Sequence, residues 1–388
     1  MSPISVSPEV SRERLTEWVQ RFIRHPSEQT DLMEADPAVL SFISDCVRPL
    51  VEEIGMTPRF DGMGNMIVEM GPPDAERRLM FMTYAMTHPA ASMHDPFKGE
   101  LIEEEGGIEA VRGRGVSEQK AALAAALAAV HAYHSRGKDG GLTFVLSTAG
   151  ETGRHTAAEA ILSALKAAPR LAVVVLGTSS QVALGNKGRI DIEITVRGKA
   201  SHSSMPGRGV NAITGAQEVL KRMAAFEVGE GKHPGLGRAT LTSTSIESSP
   251  KATHTVQNEV RMTFDRRLLP GQDPDDAFAR VRDALDIGSP WTIEVKKGPF
   301  MYPCEVAEDS DLVRHILSGH AAAGLEAPGF MWSHGALDAG YLAEQGCQAT
   351  MWGPGLVDMW HSDEESISVD AVWNGANAYL GLIDSYLG

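Results

Sequence analysis

The chain has 388 residues, of which 43% are hydrophobic and 22% charged, and its formal net charge is −16 at pH 7. Its length exceeds one typical core and predicts two domains. The negative charge argues against nucleic acid and anionic membranes as partners, because both are bound through basic surfaces. No segment approaches the roughly 18 consecutive apolar residues that a membrane span needs, so we expect a water-soluble protein.

The N-terminal stretch and the cysteines indicate the compartment. The segment "MSPISVSPEVSRERLTEWVQRF" contains no apolar signal core and leads directly into an amphipathic helix. Cys46, Cys304 and Cys347 are widely spaced and match neither a disulfide framework nor a zinc-thiolate pattern. We therefore expect buried, reduced thiols in a cytoplasmic protein.

Between Met63 and Val175, apolar runs alternate with helical patterns. Buried strands are predicted at "NMIVEM", "RLMFMTYA", "LTFVLSTA" and "LAVVVLG". Helices are predicted at "KAALAAALAAVHAY" and "TAAEAILSALKAA". Such alternation is typical of an α/β layer sandwich.

The pattern changes near Gly188. From there the chain reads strand, helix, strand, strand, helix, strand, which is a ferredoxin-like unit of roughly 110 residues. Helical and apolar patterns of the first kind then resume. The sequence thus predicts a catalytic domain in two parts, residues 1–187 and 299–388, interrupted by a small domain at residues 188–298.

Three polar residues follow predicted strands or turns, where open α/β sheets form ligand crevices. Glu118 lies in "GRGVSEQKAALAA", Glu151 in "LSTAGETGRHTA" and His361 in "MWHSDEESI". Each has an ordinary interpretation as well: an acid at a helix N-terminus, favoured by the dipole, or a surface histidine. Spacing alone favours the ordinary interpretation of all three.

A family resemblance along nearly the whole chain changes that balance. It lies in the order and spacing of these motifs: "FDGMGNMIVEM", "HDPFKGEL", "GRGVSEQKAALAAALAA", "AGETG", "GNKGRIDIEITVRGKASHSSMPGRGVNAI", "FDRRLLPGQDPDD", "LDAGYLAEQG", "WGPG" and "HSDEE". The chain resembles the family of the aminoacylases, carboxypeptidase G, succinyl-diaminopimelate desuccinylase and acetylornithine deacetylase, which are co-catalytic zinc hydrolases. The resemblance implies a zinc-exopeptidase-like three-layer α/β/α catalytic domain. It also implies an inserted ferredoxin-like α+β lid/dimerisation domain through which a homodimer would form.

The chain departs from the family pattern at the expected metal site. Tyr84 and Met86 stand where the family has a His-x-Asp pair, and Glu118 replaces the bridging aspartate. Gly150 stands where the family has its general base, and the next carboxylate ligand falls at about Gly177. A phenol is a poor zinc ligand at neutral pH and a thioether is a soft one. The second ion of the usual pair therefore lacks its ligands.

By the same resemblance, the chain keeps the family's ligands for one ion, namely Glu118, Glu151 and His361. Three protein ligands with an open position are usual for catalytic zinc, so one divalent metal, zinc or manganese, is one expectation and no metal is the other. His88 and His334 are further histidines that could act as a neutral base or a replacement ligand, or be solvated loop residues. Glu151, Glu118 or His88 would activate water.

The substrate side of the family pattern is better kept. His202 in "GKASHSSMP" matches the lid histidine that stabilises the developing oxyanion, a role for a hydrogen-bond donor. Arg267 in "DRR" matches the position that grips a substrate carboxylate, which suits a bidentate guanidinium. Asn211 has a second interpretation, as a residue that supports the lid turn. The expected substrate contacts are Arg267, His254, Asn211, His334 and Tyr84.

Three hypotheses of function follow. The first is a hydrolase of an amide or related C–N bond in a small carboxylate-bearing substrate, such as an N-acyl or N-carbamoyl amino acid or a dipeptide, with at most one metal ion. The second is a metal-independent enzyme on the same fold, catalysing hydrolysis, ring opening, elimination or acyl transfer. The third is a non-catalytic binding or assembly protein, for which the missing base at Gly150 is the main argument.

Overall fold

The computed structural model describes residues 3–7, 9–138, 140–229, 231–285, 288 and 290–388. The chain forms two compact units. The larger comprises Met1–Gly185, Glu305–Trp332 and Asp338–Gly388, and the smaller comprises Asn186–Cys304 and Ser333–Leu337.

The α-helices, numbered in chain order, are α1 Arg12–Ile23, α2 Pro37–Ser41, α3 Arg48–Glu53, α4 Ala121–Ser135, α5 Thr156–Ala164, α6 Ala212–Ala224, α7 Pro274–Ala284, α8 Asp311–Ala322, α9 Ala339–Glu344 and α10 Val369–Leu387. The strands are β1 Arg59–Phe60, β2 Met66–Met70, β3 Arg78–Tyr84, β4 Glu100–Glu104, β5 Ile108–Arg112, β6 Gly141–Ser147, β7 Leu171–Val174, β8 Val182–Asn186, β9 Gly188–Arg197, β10 Thr240–Ser249, β11 Glu259–Leu268, β12 Thr292–Met301, β13 Cys304–Glu305, β14 Phe330–Ser333, β15 Gln348–Met351 and β16 Ser366–Ser368. None of the described helices is both long enough and apolar enough to cross a membrane.

A six-stranded sheet in the order β1-β2-β6-β3-β7-β15 forms the middle of the larger unit. Strand β3 is parallel to both β6 and β7, with Tyr84 opposite Ser147 at the carboxyl end of β3. Because parallel strands end at the same edge, the segments that follow β3, β6 and β7 begin side by side. That edge is where the sequence predicted the ligand crevice.

Helices cover both faces of this sheet. Leu79 and Phe81 of β3 belong to a core that includes α1, α4 and α10, whereas Met80 and Met82 are buried outside that core. Successive side chains of a strand point to opposite faces, so the two sets belong to two layers. Helix α4 is apolar on all sides and its residues 121–130 are fully buried, as expected for a helix in the interior. The larger unit has the predicted three-layer α/β/α architecture.

A small antiparallel sheet in the order β16-β5-β4 joins two distant parts of the chain. Ser366 of β16 pairs with Arg112 of β5. The loop before β16 carries His361 and the turn after β5 carries Glu118. This pairing brings the two candidate ligands, far apart in sequence, to the same place.

The smaller unit is the predicted ferredoxin-like fold. Its antiparallel sheet has the order β10-β11-β9-β12, with α6 following β9 and α7 following β11. One face of β9 and β11 is buried under these helices in an aliphatic core. Strand β12 continues to Met301, beyond the boundary predicted at residue 298, because its last residues still pair with β9.

Candidate active site

Glu118 lies in a tight helical turn, Val116–Lys120, that precedes α4. The turn is entered through Gly115, whose φ of 75° is in the left-handed region and whose Cβ would clash with Thr87. Glu118 is 5% exposed, and its Oε2 atom has no hydrogen-bond donor with acceptable geometry among the described residues. A buried carboxylate oxygen in this condition is costly unless a cation binds it.

Glu151 follows β6, in the loop that leads to α5, and is half-buried. Gln29 donates from Nε2 to the Glu151 carbonyl oxygen at 2.7 Å. This bond comes from the loop after α1 and holds the backbone of the segment after β6. Motif comparison did not single out Gln29, because an amide in a polar loop carries no signal of its own.

His361 completes the group. Its φ is 60°, a left-handed conformation that is uncommon for a residue with a side chain and costs of order 1 kcal/mol. Its Nε2 atom lies 3.3 Å from Glu118 Oε2 and 3.5 Å from Glu151 Oε1. The structure thus brings together the three predicted ligands, Glu118, Glu151 and His361, which we call the donor cluster.

The electrostatics of the donor cluster follow from two carboxylates that share one imidazole. Burial raises the pKa of Glu118 to about 7, against the opposing effect of His361. Burial also disfavours ionisation of Glu151, but the hydrogen bond and charge of His361 outweigh it and lower the pKa of Glu151. The close carboxylates of Glu118 and Glu151 stabilise the charged imidazolium and raise the pKa of His361 to about 10. The donor cluster therefore favours a positive charge at its centre.

The donor cluster fits a divalent ion. One donor atom from each residue lies within 4.8 Å of the other two. Ligands about 2.0–2.1 Å from a tetrahedral ion are roughly 3.3–3.4 Å apart, close to the observed separations of 3.3 and 3.5 Å. Such an ion would also satisfy Glu118 Oε2, which lacks a well-aligned hydrogen bond. Two carboxylates and an imidazole suit zinc or manganese.

His88 stacks on His361, with ring centroids 3.8 Å apart. His88 Nδ1 lies 2.9 Å from the carbonyl oxygen of Pro89, which can only accept, so Nδ1 carries the proton. In the neutral ring Nε2 is then left with a lone pair. Burial and the neighbouring His361 lower the pKa of His88, which favours this neutral form.

Tyr84, predicted as a substrate contact, is buried at the end of β3. Its hydroxyl donates to Asp338 Oδ2 at 2.8 Å. His155 Nδ1 donates to the other oxygen of the same carboxylate at 2.7 Å. Burial and the Asp338 charge raise the pKa of the Tyr84 phenol well above its usual value, so it stays protonated. A phenol held in this way is no metal ligand.

The family resemblance predicts a base at the position of Gly150 and a further carboxylate at about Gly177. A Cβ atom at Gly150 would lie well under 3.0 Å from the Met86 carbonyl oxygen, and one at Gly177 equally close to the Ser117 carbonyl oxygen. Backbone therefore occupies the space that side chains would need at both positions. Tyr84, Gly150 and Gly177 together form what we call the closed side.

The remaining predicted residues lie in the smaller unit. His202 and His254 are exposed and on adjacent segments, since Ser203 N donates to the His254 carbonyl oxygen at 2.8 Å. The Ser204 N–H donates to His202 Nδ1 at 3.2 Å, so His202 Nε2 carries the proton and can donate. That state suits the predicted role of His202.

The side chains of Asn211 and Arg267 make hydrogen bonds within the smaller unit. Asn211 caps α6, with its Oδ1 accepting from Ile213 N at 2.9 Å, so its side chain supports the helix start. Arg267 uses Nε and Nη2 to bind Asp265 at 2.8 and 3.0 Å, because the two lie on one face of β11. Its Nη1 lies 3.5 Å from the carbonyl oxygen of the exposed His334. One edge of the guanidinium is thus already occupied.

Comparison with known proteins agrees with this fold. Residues 184–292 match the model of the peptidase dimerisation domain of M20 type. The chain is also 23% identical over 348 residues to a succinyl-diaminopimelate desuccinylase of Rhodospirillum centenum, covering 84% of this chain and 87% of that protein. The resemblance to the aminoacylase and desuccinylase family is confirmed.

Solved structures share the fold of the whole M20-like chain. An M20 family metallo-carboxypeptidase from Sulfolobus solfataricus superposes with a TM-score of 0.75 at 15% identity, covering 96% of this chain and 99% of that one. A tripeptidase from Staphylococcus aureus gives a TM-score of 0.72 at 18% identity, covering 96% and 98%. Together with the desuccinylase, these relatives support an amidohydrolase-like or peptidase-like enzyme.

Proposed function

We propose that this M20-like enzyme hydrolyses an amide bond in a small carboxylate-bearing substrate with one divalent metal ion held by Glu118, Glu151 and His361. The observation that carries the proposal is that three possible metal-ligand atoms lie within 4.8 Å of one another. The carboxylate of one of these residues, Glu118, also has a buried oxygen that accepts no well-aligned hydrogen bond. N-acyl amino acids, N-carbamoyl amino acids and dipeptides are the proposed substrate classes. The desuccinylase and tripeptidase relatives, by their names, act on compounds of this chemistry.

The proposal is limited to one ion by the closed side. Backbone fills the space of the family's base at Gly150 and of a further carboxylate ligand at Gly177, and the third position holds a protonated phenol bound to Asp338. Introducing the missing carboxylate ligand would require the backbone at Ser117 to move. Close-packed interiors resist such movement, so we expect a stoichiometry of about one ion per chain.

When bound, a divalent ion would polarise the amide carbonyl and make water a better nucleophile near neutral pH. The chain's own residues set the conditions for this step. Glu118 and Glu151 supply negative charge from a mostly buried position, and His361 faces both. His88 Nε2 is the proposed proton acceptor, since Nδ1 of the same ring is held by Pro89. His202 and Arg267 keep their predicted substrate roles as proposals.

Metal binding and activity test the proposal together. Protein stripped with a chelator and titrated with Zn²⁺ or Mn²⁺ should bind about one ion and regain hydrolysis of N-acyl, N-carbamoyl or dipeptide substrates. Glu118→Gln should lose both properties, by more than the 10–100-fold typical of residues outside the ligand shell. Glu364→Gln is the matched control, because Glu364 is three residues from His361 and its side chain is 79% exposed.

The outcomes separate the hypotheses. Hydrolysis that persists without metal would overturn the one-metal proposal in favour of the metal-independent enzyme. Tight binding of two ions would contradict the role assigned to the closed side. Turnover that is unchanged in Glu118→Gln would remove the donor cluster from the reaction.

A further inference from the structure

Glu365 is a buried carboxylate with an unusual set of partners. Its side chain is fully buried and accepts four hydrogen bonds. Oε2 accepts from Gly115 N at 2.8 Å and from Arg114 Nη1 at 3.1 Å. Oε1 accepts from Ser117 N at 2.9 Å and from Glu118 N at 3.1 Å. All four donors lie on the short segment that carries the ligand Glu118.

These bonds do the work of a helix cap. The first N–H groups of a helical turn have no partner within the helix and are usually satisfied by a side chain just before it. Gly115 has no side chain to offer, and no side-chain cap comes from the residues before the turn. Glu365 supplies the cap from 247 residues further along the chain than Glu118. The conformation of the turn therefore depends on a distant carboxylate.

Glu365 also belongs to the segment that carries the second ligand. It follows His361 by four residues, and its carbonyl oxygen accepts from Gly113 N at 3.1 Å. The next residue, Ser366, begins the pairing with β5. Side chain and backbone of Glu365 thus set the position of the His361 loop against the Glu118 turn.

Arg114 extends the connection to a third segment. It is fully buried, its Nη1 binds Glu365, and its Nη2 donates to the carbonyl oxygen of Ala90 at 3.1 Å. Ala90 is two residues beyond His88. One buried ion pair therefore connects the three segments that carry Glu118, His361 and His88, whereas Glu151 has its own anchor in Gln29.

We propose that Glu365 is a positioning residue that, through its ion pair with Arg114, sets the geometry of Glu118, His361 and His88. It does not touch substrate or reacting atoms, and it acts through the segments it holds. The inference rests on the proposed function, because it concerns the same donor cluster. Metal affinity depends on the distances between the ligand atoms of the donor cluster. Loss of Glu365 should change those distances and so lower the affinity.

The test is metal affinity measured on the whole protein, independently of activity. Stripped protein is titrated with Zn²⁺ in competition with a chromophoric chelator, and with Co²⁺ to record its visible absorption, which reports coordination geometry. Glu365→Gln presents an amide N–H₂ group to backbone donors and removes the charge opposite Arg114. We expect Zn²⁺ affinity to fall by about 10–100-fold and the Co²⁺ spectrum to change. Arg114→Lys, which keeps the charge but not the two-armed contact, should change both in the same direction.

Thermal unfolding distinguishes positioning from a merely structural role. A structural role alone would lower the melting temperature of metal-free and metal-loaded protein equally. A positioning role should also reduce the rise in melting temperature that saturating Zn²⁺ produces, since that rise depends on affinity. Glu364→Gln is the control for the same loop and should leave affinity and spectrum unchanged.

Unchanged Zn²⁺ affinity and spectrum in both Glu365→Gln and Arg114→Lys would overturn the inference. If Glu365→Gln does not fold, Arg114→Lys decides alone. Failure of the proposed function gives a different result. Either the wild-type protein would bind no Zn²⁺, or the Glu118→Gln variant would bind Zn²⁺ as tightly as the wild-type protein does.

Discussion

The donor cluster and the closed side lie along the same edge of one sheet, yet they are built in opposite ways. Glu118, Glu151 and His361 bring three donor atoms within 4.8 Å and leave a buried oxygen unsatisfied. At Gly150 and Gly177 backbone fills the space, and Tyr84 is committed to Asp338. Under the proposed function, the donor cluster would hold the one ion, and the packing at the closed side would leave no room for the ligands of a second.

Gly150→Glu is the change that should break this comparison most severely. It supplies the side chain that the family has at this position, but the new Cβ would clash with the Met86 carbonyl oxygen. We expect a loss of at least about 3 kcal/mol in the free energy of unfolding and no gain of hydrolase activity. Urea unfolding followed by circular dichroism measures this. Gly62→Glu is the control, because nothing lies within 4 Å of its Cβ position. A stable, more active Gly150→Glu protein would show that the closed side can reopen.

His88→Ala tests whether His88, which stacks on His361 of the donor cluster, acts as the base. If His88 Nε2 accepts the proton, kcat should fall by about 10²–10⁴-fold, and added imidazole should restore part of it. His94→Ala is the matched control, since that ring is on the same loop and its side chain is 85% exposed. The Zn²⁺ dissociation constant is measured alongside. A parallel loss of Zn²⁺ affinity would instead make His88 a support for His361, and an unchanged kcat would exclude it as the base.

Tyr84→Phe should have the smallest effect and sharpens the account of the closed side. Removing the hydroxyl leaves Asp338 Oδ2 without that donor in a buried position, which should cost about 1–3 kcal/mol of stability. Thermal unfolding measures the loss. Tyr379→Phe, which removes a buried donor at 2.8 Å from the neutral Trp352 carbonyl, is the comparison and should cost less. A raised KM with unchanged stability would return Tyr84 to the substrate contact predicted from the sequence.

Local pattern was enough for several central elements of the fold, but not for the small β16-β5-β4 sheet. The apolar run that became β3 and the uniformly apolar α4 are evident from periodicity alone, because burial on both faces or on all sides requires such sequences. The residues of the donor cluster were found through the family resemblance. Spacing favoured an ordinary interpretation of each, since an acid before a helix looks the same whether it caps, binds a cation or faces solvent.

Other features of the site had no local signal. Asp338 precedes α9 and would be read as its cap, yet it makes no side-chain cap bond and binds Tyr84 and His155 instead. Asn211, predicted as a substrate contact, does cap its helix. Which partner a polar side chain finds depends on what lies beside it in three dimensions, and the hundreds of residues between such partners carry no trace of the contact.

The sequence by itself determined the α/β frame, the inserted ferredoxin-like domain and the identity of three candidate ligands, because each is written in periodicity or in motif order. Only the tertiary structure decided that those ligands converge, that backbone closes the positions at Gly150 and Gly177, and that Glu365 with Arg114 connects the segments around them. The physical reason is that glycine and buried charge act through neighbours brought close by folding. A glycine's sequence neighbours do not reveal what a side chain would strike, and those of a glutamate do not reveal whether it faces water or an arginine.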